Sequence, residues 1–168
     1  TEERLQETLS QFVLSIQSFD SKYDEGLIAT GNLEGPFPNY NMSENRCKFL
    51  FSTAPQNGGA GCVSCHAAPE FAIRDNIRNN GVIATIANST VNDHNNTRSP
   101  SLRDLINPDG NLNGPLMHNG SFTTLLEMIE HYNDIDMTDQ QFVDPLLFQG
   151  RGANSPIGQQ LNLSNTDK

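Results

Sequence analysis

Three cysteines occur in 168 residues, and two of them stand three apart with a histidine directly after: Cys62-Val63-Ser64-Cys65-His66. Two thiols at this spacing with an adjoining imidazole match the covalent attachment of a c-type haem. Cys62 and Cys65 can each reach one vinyl group on the same side of a porphyrin, and His66 is then placed beneath the iron as proximal ligand. A redox-active thiol pair, half of a zinc site and a structural disulfide compete for the same residues. A thiol oxidoreductase has no need of the histidine. A four-ligand zinc site needs a second pair, and only Cys47 remains. Haem c is the reading that uses all three residues.

The elements that must position this motif follow from periodicity. Leu5, Leu9, Phe12, Val13, Ile16 and Phe19 recur on one helical face, which predicts a helix from Glu2 to Phe19. Residues 26–41 are rich in Gly, Pro and Asn and read as loop. Asn41 or Ser43 caps a second helix through Phe51, with Cys47, Leu50 and Phe51 on its apolar side; Cys47 is then a buried, inert thiol. Pro55 to Gly61 forms the approach to the cysteines, and 76–100 is polar and irregular. Pro100 to Leu105 has Pro in the first turn of a short helix, and Asn107 to Gly114 reads as turns. Thr124 and Glu127 have capping-box spacing and open a helix to about Tyr132, with Leu125, Met128, Ile129 and Tyr132 on one face. After Pro145 the reading is coil, and the residues from Leu161 look like the approach to a further helix.

Bulk composition bounds the rest. The chain is 35% hydrophobic and 7% aromatic with no tryptophan, so a thin core that a covalent cofactor would staple is expected. The length fits one domain, 1–168. A formal net charge of -10 argues against nucleic acid and anionic membranes and favours basic partners. No apolar run is long enough to span a bilayer. The chain opens inside a helical pattern, as a mature or trimmed chain would, and ends as a truncated one would.

Several segments together resemble the C-terminal, electron-transfer haem domain of the bacterial di-haem cytochrome c peroxidase family. "LSQFVLSIQSFDSKYD" resembles its opening helix, "CVSCHAAPEF" its attachment segment, and "RSPSLRDL" its Pro-Ser/Thr-Leu-Arg segment. "GPLMHNGSFTTLLEMIEHYN" resembles its His-Asp/Asn-Gly turn and following helix. The resemblance spans Leu9 to Asn133. It implies an all-α, loop-rich, cytochrome c-like domain carrying one haem, in a periplasmic or secreted setting. The implied partner is a redox protein, donor or acceptor, or a second haem domain. That second domain would hold the peroxidatic haem, since this chain has one attachment motif and lacks the residues that assist peroxide cleavage.

The sixth iron ligand then separates electron transfer from catalysis. The position matching the family's distal methionine is Tyr132, and relatives that mature methylamine dehydrogenase carry an axial tyrosine there in a similar His-Tyr-Asn context. A phenolate can ligate ferric iron and lowers the potential, whereas a thioether raises it, within a span of about 0.8 V for protein haems. Met117, in a loop well after His66, is the alternative; as a non-ligand it would pack on the haem edge. Tyr132 as a non-ligand would be a core tyrosine. Met128 reads as core packing, His118 as a hydrogen-bonding residue at the haem edge, and His131 and His94 as solvated. Arg103, with Arg98 behind it, is the expected partner of a haem propionate; a surface ion pair is the competing role. The family's calcium site would fall near Pro115. Asn113 stands where Thr is usual, however, and the partner asparagine is absent. Asp109, Asn111 and Asn113 therefore read first as a plain turn. A one-haem peroxidase or oxidative enzyme with an open or labile sixth position is the alternative function, and a haem-based sensor a weaker one.

Overall fold

The computed structural model describes residues 1–72, 80–82, 98–135, 161 and 163–168. Among them are four α-helices and no strand: α1 (Glu2–Ser15), α2 (Lys22–Thr30), α3 (Met42–Ser52) and α4 (Leu125–Asn133). The described residues are all-α, as expected. Three isolated β-bridges, Ala67–Ala72, Ile106–Leu112 and Leu116–Phe122, close loops. None of the described helices is long and apolar enough to cross a membrane. Two compact units are present, Thr1–Asn41 and Met42–Lys168. His94, the readings over 83–97 and the coil after Pro145 up to residue 160 lie outside the described residues.

In the first unit, α1 ends at Ser15, four residues short of the periodic pattern. Ile16 is extended (ψ 96), and the Ser15 hydroxyl donates to Phe12 O at 2.7 Å. Such side-chain bonds satisfy terminal carbonyls without another turn. The apolar face of α1 is exposed, including Leu5, Leu9 and Phe12. The loop reading of 26–41 is corrected over its first residues, because α2 runs to Thr30. Ser21 and Asp24 form a full capping box, with Ser21 N donating to Asp24 Oδ2 at 3.0 Å. Phe37 is fully buried between Tyr23 and Tyr40, each ring edge-on with centroids 5.3 Å away.

In the second unit, α3 matches its expected span, but Cys47 is exposed; the buried-thiol expectation fails. Leu50 is the helix's buried residue. The face that the helix buries is thus narrower than the apolar pattern suggests, and Cys47 lies outside it. Nor is 100–105 a helix. Its centre is a turn with Asp104 in the left-handed region (φ 59). The final residues return to the helices: Arg46 Nε pairs with Asp167 at 2.9 Å, Lys168 Nζ with Glu130 at 2.9 Å, and Leu163 N donates to Asn133 Oδ1 at 2.7 Å.

The C-terminal end of α3 sets the next loop. Ala60 N donates to Leu50 O at 2.6 Å and Gly61 N to Thr53 O at 2.8 Å, so the carbonyls left open at a helix end are satisfied by the chain entering the cysteine motif. Gly59 passes so close to Thr53 that an added Cβ would overlap the Thr53 carbonyl. Gly59→Ala is expected to destabilise the protein by about 1–3 kcal/mol, the range for overpacking. Gly114→Ala, where a Cβ meets nothing within 4 Å, serves as the near-neutral control. Chemical denaturation of the two variants checks this, and equal midpoints would remove the claimed close approach.

Candidate functional site

Cys62–Ser64 is a single turn of 3-10 helix entered from Gly61. The Cys62 carbonyl accepts from Cys65 N at 3.1 Å and His66 N at 2.9 Å, and the Gly61 carbonyl accepts from Ser64 N at 3.0 Å. The backbone alone therefore gathers Cys62, Cys65 and His66 on one turn. Cys62 and Cys65 are both partly buried thiols. Burial pushes the Cys62 thiol up to about 11. A nucleophilic thiol needs the opposite shift, so this environment disfavours the thiol-redox chemistry that the spacing alone left open.

His66 is fixed from outside the motif. Ala67 N donates to Ala72 O at 3.3 Å, closing a loop whose Phe71 carbonyl faces the imidazole. His66 Nδ1 lies 3.0 Å from Phe71 O. A carbonyl only accepts, so Nδ1 carries the proton and Nε2 presents its lone pair. Burial lowers the His66 pKa, opposed by backbone hydrogen bonds to Phe71 and Pro100; the ring is held neutral, the form that ligates a metal.

Arg103 holds this loop. Its Nε donates to Pro69 O at 2.8 Å, and its guanidinium lies over the Phe71 ring, 5.6 Å from the centroid. Ser101 Oγ donates to Glu70 O at 2.6 Å, and Leu102 N donates to Phe71 O at 3.3 Å. Arg98, not Arg103, is the arginine that lines the neighbouring cavity.

That cavity, about 370 Å³, adjoins His66, within the size range of small-molecule and cofactor sites. Much of its wall is apolar, formed by Pro100, Leu102, Leu105, Leu116 and Met128, and Met117 and His118 complete one side. Met117 stands at φ 68 in the turn closed by the Leu116–Phe122 bridge, where Leu116 N donates to Phe122 O at 2.7 Å. Tyr132 comes from α4. The register of that helix is set by its capping box: Glu127 Oε2 accepts from Thr124 N at 3.0 Å and Thr124 Oγ1 from Glu127 N at 3.2 Å. The Tyr132 hydroxyl is desolvated, and burial pushes it up to about 12; Cys65 and Cys62 are near enough to add to the shift.

One residue of this site went unnoticed in the sequence. Asn80 Nδ2 donates to Tyr132 Oη at 2.8 Å and approaches Met117 Sδ at 3.7 Å. Its carbonyl accepts from His131 Nε2 at 2.9 Å. The expectation that His131 is solvated is thereby corrected. His131 is partly buried, and its ring packs 5.3 Å from Phe122 and 5.6 Å from Tyr132. Asn80 is 51 residues from His131, so helical phase could not reveal that contact. The Asn80-Gly81 dipeptide signals a turn but nothing about its neighbours. In the loop after Ile106, Asn107 Oδ1 accepts from Asp109 N at 3.0 Å and Asn111 N at 2.9 Å, and Asn113 Nδ2 donates to the Asp104 carbonyl.

The three thiols and His66 do not assemble with acidic residues. Among the described residues no group of three or more His, Cys, Asp and Glu side chains could hold a metal ion. No family model, curated protein or solved structure matches the chain.

Burial disfavours the Cys62 thiolate, so the reactive form accumulates only as pH approaches about 11. In the cofactor-free chain, alkylation at Cys62 should still be rising about tenfold per pH unit between pH 9 and 10. Peptide mass spectrometry follows it, with exposed Cys47 reporting reagent access. A Cys62 rate that levels off below pH 9 would contradict the stated burial.

Proposed function

We propose that the chain is a c-type cytochrome domain that binds one haem covalently through Cys62 and Cys65, takes His66 as the proximal ligand, and passes electrons to and from protein partners. One observation carries the reading: the turn that presents both thiols also leads into an imidazole whose Nδ1 is committed to the Phe71 carbonyl, leaving Nε2 for a metal beside a mostly apolar cavity. The residues fit the group. Each thiol would add its S–H across one vinyl double bond, a step that needs reduced sulfurs and no external oxidant. When bound, haem supplies a one-electron Fe(III)/Fe(II) couple.

The chain's own residues supply the rest. The His66–Phe71 bond fixes the ring plane and raises ligand basicity. Leu102, Leu105 and Leu116 give the cavity an apolar lining. Tyr132 and Met117 present an oxygen and a sulfur as candidate sixth ligands. Arg98 is the cavity-side cation for an anionic edge group, and Arg103 acts behind the loop that orients His66. The formal charge of -10 suits a basic redox partner and long-range steering. The resemblance to the electron-transfer half of di-haem peroxidases makes a second haem domain a further candidate partner, in a periplasmic or secreted setting. Calcium is no part of the proposal, because Asn107 Oδ1 accepts from the main chain of its own turn and no carboxylate-rich ligand set is present among the described residues.

The high pKa of the buried Tyr132 hydroxyl favours a second reading, a one-haem oxidative enzyme. Phenolate forms there only with a cation's help, and the sixth position would exchange readily. Expression together with a c-type maturation system separates the outcomes. The expected product gains the mass of one haem through two thioether links and has a ferric spectrum unmoved by cyanide or peroxide. A cyanide-sensitive ferric spectrum selects the enzyme instead. A colourless protein with Cys62 and Cys65 unmodified overturns both.

A further inference from the structure

Asn80 joins the two candidate sixth ligands, and its orientation is fixed. Oδ1 accepts from Val82 N at 3.4 Å, an Asx-type turn. Gly81, at φ 90, supplies the backbone that this turn needs. With the oxygen held on its own chain, the amide nitrogen faces outward. Its two N–H groups serve Tyr132 Oη at 2.8 Å and Met117 Sδ at 3.7 Å. The assignment of nitrogen and oxygen thus follows from the hydrogen-bond pattern.

We infer that Asn80 is a positioning residue which decides that Tyr132 oxygen, and not Met117 sulfur, reaches the sixth position of the haem iron. The inference rests on the haem reading above. Its physical basis is unequal demand on one donor. The short bond to oxygen stabilises the phenolate form of Tyr132. The longer contact occupies a sulfur lone pair and holds the thioether against the wall. Met117 is already in the left-handed region (φ 68), a conformation that persists only where neighbours enforce it. Removing the amide releases sulfur and withdraws support from oxygen together. The His131 contact uses the residue 80 carbonyl, so it survives substitution of the side chain.

The test compares ferric and ferrous spectra and reduction potentials of the matured protein with Asn80→Ala and with Asn80→Asp, which keeps the shape but loses the donor. In the parent protein the spectrum should change with Tyr132→Phe and not with Met117→Leu. In either Asn80 variant the dependence should invert: the potential rises, a thioether-to-iron band appears, and adding Met117→Leu abolishes it. The near-isosteric Asp variant carries the test if the Ala variant does not accumulate. A coloured protein whose spectrum and potential ignore residue 80 overturns this inference alone. So does an Asn80 variant whose altered spectrum is indifferent to Met117→Leu. A protein that never acquires haem sinks the cytochrome reading itself, and a mass measurement reports that separately.

Discussion

The hydrogen bond from His66 Nδ1 to the Phe71 carbonyl, 3.0 Å long, is the constraint on which the rest of the site depends. It fixes the tautomer, the ring plane and the direction of the remaining lone pair. It also explains why residues far from the motif are spent on a five-residue loop. Phe71 sits at φ 53, an uncommon place for a bulky side chain. Arg103, Ser101 and Leu102 bond or pack against that loop, and Phe51 meets the Phe71 ring at 5.8 Å. A strained residue persists where its surroundings over-determine it, and here residues 101–103 and Phe51 do so. Arg103 is part of this clamp.

Two sides of the cavity are built on different principles. On the His66 side, neighbouring residues in one stretch of chain are organised by main-chain bonds to Gly61 and Cys62. Elsewhere Asn80 and Met117 line the cavity and Asn80 bonds to Tyr132, so that three segments meet through side chains. Main-chain geometry tolerates substitution of surrounding side chains, whereas a side-chain network is lost with any member. In the proposed reading the attachment side is therefore the constant half and the distal side the half through which potential and ligand exchange are set.

The legibility of the sequence follows the same division. The cysteine-histidine motif and the α4 capping box were readable because each is local: Thr124 and Glu127 satisfy one another within a single turn. The Ser21–Asp24 box is equally local. It was hidden because the Gly, Pro and Asn content of residues 26–41 reads as loop. Periodicity overran α1 because the apolar repeat continues through Phe19, while the backbone leaves the helix at Ile16. Cys47 and His131 were misplaced for a further reason. Helical phase gives a direction from the axis, but burial depends on what lies in that direction. Asn80 had no local signature at all, because its meaning comes from Tyr132, 52 residues away.

That Asn80 bond also gives the thin core a physical consequence. Among the described residues of the second unit the buried apolar side chains are Leu50, Ala60, Val82 and Ile135, and Val82 and Ile135 are near neighbours in sequence of Asn80 and Tyr132. Val82 joins the small core to the polar contact through its bond to Asn80 Oδ1. Any shift in the packing of Val82 against its surroundings moves the Asx turn that aims the Asn80 amide. A core of this size is the kind that a covalently attached apolar group would complete. In the proposed reading, filling the cavity beside His66 would add apolar burial next to the Asn80 side chain that lines it, and so tie stability of the fold to the Asn80–Tyr132 contact.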